Sequence, residues 1–252
     1  MEQYLILIIP GILAGLINSI AGGGGIIMYP AFLAAGINPL MANATSSLSV
    51  LPGSATSTYG YKKQLKRLPR AYLWMLIPCL VGSIIGSYIL IHTKPTTFEV
   101  LAPWLVLSAV LLLALQSRIQ TLLAKQAKRH KVRWPTIAVL CVAAFPLAVY
   151  GGYFGVGFGL MMLALLGFTN LKSIHQMNGI KNAFSVGMAI VATSYFAYAG
   201  LINWRAGLMM AIGTAIGGYF GARAAQRVPA RFVHNATVFI GLIISAVLII
   251  KQ

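Results

Sequence analysis

The sequence predicts an all-α polytopic membrane protein built from two inverted-topology repeats, each a glycine-broken, re-entrant helical hairpin followed by three transmembrane helices. Three observations lead there. Apolar runs close to bilayer length fill most of the chain, the basic residues are confined to short connectors, and two glycine-rich interruptions recur at matching places in the two halves.

The apolar runs come first. Of 252 residues, 59% are hydrophobic and 8% charged, against about 25% charged in an ordinary soluble domain. A bilayer span needs about 20 apolar residues. Runs approaching that length occupy Tyr72–Ile91, Val100–Leu115, Thr136–Tyr150, Ala183–Ala199, Ala206–Phe220 and Phe232–Ile250. The first stretch is apolar from Tyr4, yet Glu2 precedes it with no basic residue and no small-residue cleavage site follows, so no signal peptide is expected.

The net charge of +17 would suit a nucleic-acid partner if it formed one face, but it is distributed as connectors. Five basic residues fall in Lys62–Arg70, six in Arg118–Arg133 and three in Arg223–Arg231. The positive-inside rule places these clusters in the cytoplasm, where they orient the chain and touch anionic lipid headgroups. The partner so implied is the lipid bilayer of the inner (plasma) membrane, with no nucleic acid, and the connectors at Lys94 and Arg205 lie outside. Cys79 and Cys141 sit within apolar runs without CxxC spacing and read as core packing.

Between these clusters, the runs near 72–91 and 100–116 form one hairpin with an external turn, so segment 39–60 runs inward. Residues 4–37 are interrupted by Gly22-Gly23-Gly24-Gly25, with Pro30 soon after, which argues for two short helices joined at a break. So few residues favour a re-entrant hairpin over two full short spans; either places both termini outside, in the periplasm. The second half repeats the plan around Gly151–Gly159. Gly25 aligns with Gly159, Asn43-Ala44 with Asn178-Gly179, Arg70 with Arg205, and Gly82–Gly86 with Gly213–Gly217. Three crossings plus a hairpin per half invert the second repeat. The expected units are 1–117, a basic linker 118–134, and 135–252.

Paired breaks at corresponding positions point to a central binding site. A helix restarting after Gly25 or Gly159 presents unpaired N–H groups and a positive dipole end, which suits an anion, and glycine lets the backbone approach it. Gly24, Gly25, Gly157 and Gly159 are the backbone candidates. GxxxG spacings such as Gly151/Gly155 and Gly155/Gly159 equally suit close helix packing, and such surfaces permit a homo-oligomer without requiring one. No strand precedes the second run, so it is not a dinucleotide fingerprint.

Each hairpin is followed by a polar helix start: Asn43, Thr45, Ser46, Ser47 and Ser49 in the first half; Gln176, Asn178, Lys181, Asn182 and Ser185 in the second. Asn178, Lys181, Asn182 and Ser185 share a helix face and would line one wall of a cavity, adding hydrogen bonds together with Asn43, Thr45 and Ser46. Hydroxyls also bond their own helix backbone, which is the other reading for Thr45 and Ser46. Lys181, ionisable inside a span, supplies positive charge to an anion or else snorkels to the cytoplasmic interface. The only acidic residues are Glu2 and Glu99, which leaves no buried carboxylate for a proton relay. His175 lies near the second break and reads as a connector residue. No catalytic set, metal set or cofactor motif is expected, so the chain does not read as an enzyme.

Gly22–Pro30 with Ala42–Ser47, Gly151–Gly159 with Asn178–Asn182, and the tail Gly200–Arg205 through Gly213–Arg223 resemble the TauE/SafE family of sulfite-exporter-like membrane permeases, over essentially the whole chain. The resemblance implies transport of a small anionic solute such as sulfite, a sulfonate or a related anion, often outward. It carries over to the two breaks, to Asn43–Ser47 and to Asn178–Asn182. Related sequences often have an acidic residue before the tryptophan of the late loop, where this chain has Asn203. The expected function is alternating-access anion transport, with an anion channel or a non-transporting accessory subunit as the rival classes.

Overall fold

The computed structural model describes residues 2–66, 68–126, 134–169, 171, 173–225, 238, 239 and 242. The span expected at Phe232–Ile250 therefore lies almost wholly outside the described residues. Within them all regular structure is helical. A short α1 (Glu2–Leu5) leads into α2 (Ile8–Ile20) and α3 (Gly25–Ala34), followed by α4 (Pro39–Gly60) and α5 (Lys62–Leu65). A 3-10 turn at Arg70–Met75 opens α6 (Leu76–Ile91), and α7 (Pro95–Gln126) closes the first half. The second half holds α8 (Trp134–Tyr153), α9 (Phe158–Gly167), α10 (Ile174–Tyr198) and α11 (Trp204–Ala224). Helix α7 thus runs on into the segment read from sequence as linker.

Lengths sort the helices into two kinds. At about 1.5 Å per residue, α4 with 22 residues, α10 with 25 and α11 with 21 each reach the thickness of a bilayer core. So do the more apolar stretches Arg70–Ile91, Pro95–Leu115 and Thr136–Tyr153. Helices α2, α3 and α9, with 13, 10 and 10 residues, are too short to cross alone. Outward faces are apolar: Ile77, Val81, Ile84, Tyr88 and Ile89 of α6 and Val139 and Val142 of α8 are all exposed. That surface suits hydrocarbon, and the backbone is satisfied within the helices. The chain is a multi-pass membrane protein.

Local chemistry sets the helix starts. Asn38 caps α4 by accepting from the Met41 N–H at 2.9 Å, with Pro39 in the first turn. Ser173 caps α10, accepting from His175 N–H at 3.3 Å, and Asn203 caps α11, accepting from Ala206 N–H at 3.1 Å. Asn203 therefore has a backbone task that needs no charge.

The two halves are laced together through their glycines. Helix α11 packs on α2: a Cβ on Gly11 would lie 2.6 Å from the Met210 carbonyl, one on Gly15 would strike Thr214 O, and Gly213 and Gly217 press on the backbone of Ile8 and Ile12. Helix α6 packs on α8 in the same way, with Gly82 against Phe145 O at 2.8 Å and Gly86 against Val149. Small residues allow this backbone approach where lipid supplies no hydrophobic drive. Along α4, Ser49 Oγ donates to Gly207 O at 3.1 Å, Thr56 Oγ1 to Ala215 O at 2.9 Å and Ser57 Oγ to Gly218 O at 3.1 Å, tying it to α11. At the end of these two helices Gly60 meets Ala222, so Lys62 and Arg223 share one end of the bundle. Cys79 and Cys141 are free thiols.

Candidate functional site

The short helices fix where the site lies. Between α2 and α3 the chain turns at Gly22, with φ +87°, and between α8 and α9 at Gly155 and Gly157, with φ +75° and +88°. Only glycine adopts these values without strain. The breaks then meet: a Cβ on Gly22 would stand 2.6 Å from the Gly159 carbonyl carbon, and one on Gly25 would stand 2.9 Å from Val156 Cγ2. No side chain fits between them.

Around this contact lies a cleft of some 610 Å³, its open mouth included, lined by Gly22, Gly25, Gly155 and Gly159 of the breaks. Its polar wall is Asn18 of α2, Ser46 and Ser47 of α4 and Ser185 of α10. Its apolar wall is Met28, Val50, Phe154, Phe158 and Met188. The N–H groups of Ile26 and Ile27 turn back onto Gly23 O and Gly24 O, whereas those of Gly25 and Gly159 have no backbone partner among the described residues. Two helix starts thus aim at one cleft.

Of the residues singled out by sequence, Gly25, Ser46, Ser47, Gly159 and Ser185 line the cleft. Gly24 instead packs inside the first hairpin, 2.5 Å from Ala14 O and 2.7 Å from Asn18 Cβ by its virtual Cβ. Gly157 turns the second break against Ala109. Thr45 Oγ1 accepts from Asn203 N–H at 3.0 Å, and Ser46 Oγ donates to Ala42 O at 2.8 Å within its own helix. Asn43 crosses between halves, its Nδ2 donating to Tyr153 O at 2.8 Å at the end of α8.

Lys181 does not snorkel. It is 0% exposed and its Nζ donates to Asn18 O in the last turn of α2, with its side chain lying directly behind Gly159. Protonated, the amine complements the negative end of α2. The ends of the two broken helices are thus each held by a side chain from the long helix of the other half, Asn43 on α8 and Lys181 on α2. Asn178 and Asn182 are 2% and 0% exposed and sit beyond the cleft on α10. His175, placed by sequence in a connector, is the second residue of α10, with its ring stacked on Tyr61.

Sequence reasoning missed Asn18. It lines the cleft, its carbonyl receives Lys181, and its Nδ2 donates to Ser54 Oγ at 3.4 Å. The available signal was an amide alone in an apolar run, one turn before a glycine break.

Known proteins are similar to this chain in sequence. The sulfite exporter TauE/SafE family matches over residues 7–248. A "Probable membrane transporter protein ORF9" from Sinorhizobium sp is 28% identical, covering 94% of this chain and 88% of that protein. A "Probable membrane transporter protein" from Haemophilus influenzae is 29% identical over 100% of this chain and 96% of its own. The "Probable membrane transporter protein YfcA" from Escherichia coli is 26% identical over 97% and 88%. No solved structure matches. The match over residues 7–248 makes this chain a member of the sulfite exporter TauE/SafE family.

Proposed function

We propose that the protein moves small anions such as sulfite or sulfonates across the inner membrane, outward, by alternating access of two inverted repeats about the central cleft. One observation carries this reading: both glycine breaks line one cleft, each with a helix start and an unpartnered N–H, at Gly25 and Gly159. Partial positive charge converges there from two helices, and Lys181 stands behind Gly159 with no carboxylate facing it among the described residues. Asn18, Ser47 and Ser185 on the wall offer hydrogen bonds to oxyanion oxygens, and Ser46 would do so on turning its hydroxyl away from Ala42 O.

The inverted repeat is supported by the exchange between halves, α11 on α2 and α6 on α8, made by glycines that align in sequence. The convergence of Lys62 and Arg223 supports one cytoplasmic end and outward-facing termini. In a negative-inside cell each exported negative charge gains about 2.3 kcal/mol per 100 mV, so export needs no coupled cation.

The test is thermal unfolding of the purified protein, followed by tryptophan fluorescence, with sulfite, sulfate, sulfonates, carboxylates and phosphate at matched ionic strength. A bound anion at about one hundred times its Kd adds about 2.7 kcal/mol of stability. The expected result is a concentration-dependent rise for one anion class, diminished in Ser185→Ala and Ser46→Ala. A midpoint indifferent to every anion would sink the assignment.

A further inference from the structure

One face of α10 continues from the cleft toward the basic end of the bundle. His175, Asn178, Asn182 and Ser185 follow one another at spacings of three, four and three, which aligns them over about 15 Å of helix. Ser185 lines the cleft. Asn178 and Asn182 are buried, and His175 stacks on Tyr61 with ring centroids 6.2 Å apart.

This strip is short of partners. Among the described residues, Asn178 Oδ1, both amide atoms of Asn182 and His175 Nδ1 find no hydrogen-bond partner, nor does Gln64 Oε1 of α5, which packs beside α10. Buried polar atoms are nearly always paired because leaving them bare is costly, more so at membrane depth. Bare atoms strung along one line from a cleft to a surface are explained if that line is wetted in another state of the protein.

What closes it is also visible. Tyr61 is 0% exposed, and its hydroxyl donates to Ser19 O at 3.4 Å at the end of α2. Tyr61 and Leu65 rest on Gly179, where an added Cβ would lie 3.3 Å from Tyr61 Cβ and 3.1 Å from Leu65 Cγ. Beside this contact Lys62, Lys63 and Lys66 are exposed, a cluster of charge that raises the local concentration of anions.

The geometry points to the strip His175–Asn178–Asn182 as the second leg of the anion path, from the cleft to the end that bears Lys62, Lys63 and Lys66, with Tyr61 and Leu65 on Gly179 as its closed gate; this rests on reading the cleft as an anion site. Opening needs the α4–α5 corner to lift from α10 and the Tyr61 hydroxyl to leave Ser19 O. Hydrated or anion-bound, the bare amides then acquire partners.

The experiment uses Asn182→Cys in a protein with Cys79→Ala and Cys141→Ala, reconstituted in liposomes and exposed to a charged, membrane-impermeant methanethiosulfonate reagent. Labelling should be slow, come from the face bearing Lys63, and quicken about tenfold when Tyr61→Ala shifts the closed–open balance. Leu65→Ala should act in the same direction, and serves if Tyr61→Ala does not elute as a folded species. Methanesulfonate, which does not attack the reagent, should slow the labelling. A rate unmoved by both gate substitutions in folded protein would overturn the gate, even where anions still stabilise the protein. Faster labelling that no anion slows would keep the gate and overturn the anion reading of the cleft.

Discussion

Lys181 shows how one residue joins structure to function. Its amine is buried on the carbonyl end of α2, with no carboxylate partner among the described residues. Replacing it by methionine keeps length and removes the amine, so that Asn18 O keeps only its bonds from backbone N–H groups such as that of Gly22, at a cost of about 1 kcal/mol. Lys181→Met is therefore expected to lower the unfolding midpoint and, by withdrawing positive charge from behind Gly159, to weaken anion-dependent stabilisation as well. Midpoints with and without anion separate the two effects: if the anion increment survives unchanged, Lys181 is a clamp only. Asn203 offers a simpler case. Its side chain caps α11, so Asn203→Ala should cost about 1 kcal/mol while Asn203→Asp costs little, as read from the same unfolding curves.

At the scale of elements, the helix pairs depend on bare backbone faces. Gly217 of α11 lies against Ile12, and a Cβ there would fall 2.8 Å from the Ile12 carbonyl carbon. Gly217→Val should force α2 and α11 apart, costing about 1–3 kcal/mol or more by overpacking. Its lipid-facing neighbour Ile216, changed to alanine, should leave the midpoint near that of the parent. A Gly217→Val protein as stable as the parent would mean the pair is looser than described. Gly22→Ala combines a forbidden φ with collision at Gly159. It should abolish flux in any protein that still folds, measured in proteoliposomes. The polar stripe of α4 has a different duty from the one its sequence suggests. Ser49, Thr56 and Ser57 bind α11 to α4, and only Ser46 and Ser47 reach the cleft.

The whole molecule has a sidedness that follows from its charge. Lys62 and Arg223 come to one end, so cysteines at Lys63 and Arg223 should label together from the cytoplasmic face of oriented vesicles, and one at Lys94 from the opposite face. Labelling of Lys63→Cys and Arg223→Cys from opposite faces would break the proposed topology.

Hydropathy and glycine spacing made much of this architecture legible beforehand. The runs at 72–91 and 136–150 became helices α6 and α8, and the interruptions at Gly22–Gly25 and Gly151–Gly159 became true breaks, because helix length and backbone freedom are local properties of the chain. Which polar residues meet the cleft was not legible. Asn43, Asn178 and Asn182 carry the same helical signature as Ser46 and Ser185, yet only the latter two line it. Rotation of a helix against its neighbours decides that, and here it is decided by contacts between residues more than a hundred positions apart, such as Asn43 with Tyr153 and Lys181 with Asn18. The sequence by itself determined a membrane protein with two interrupted halves; tertiary structure alone brought the interruptions together, because only packing across the halves sets two glycine backbones in contact.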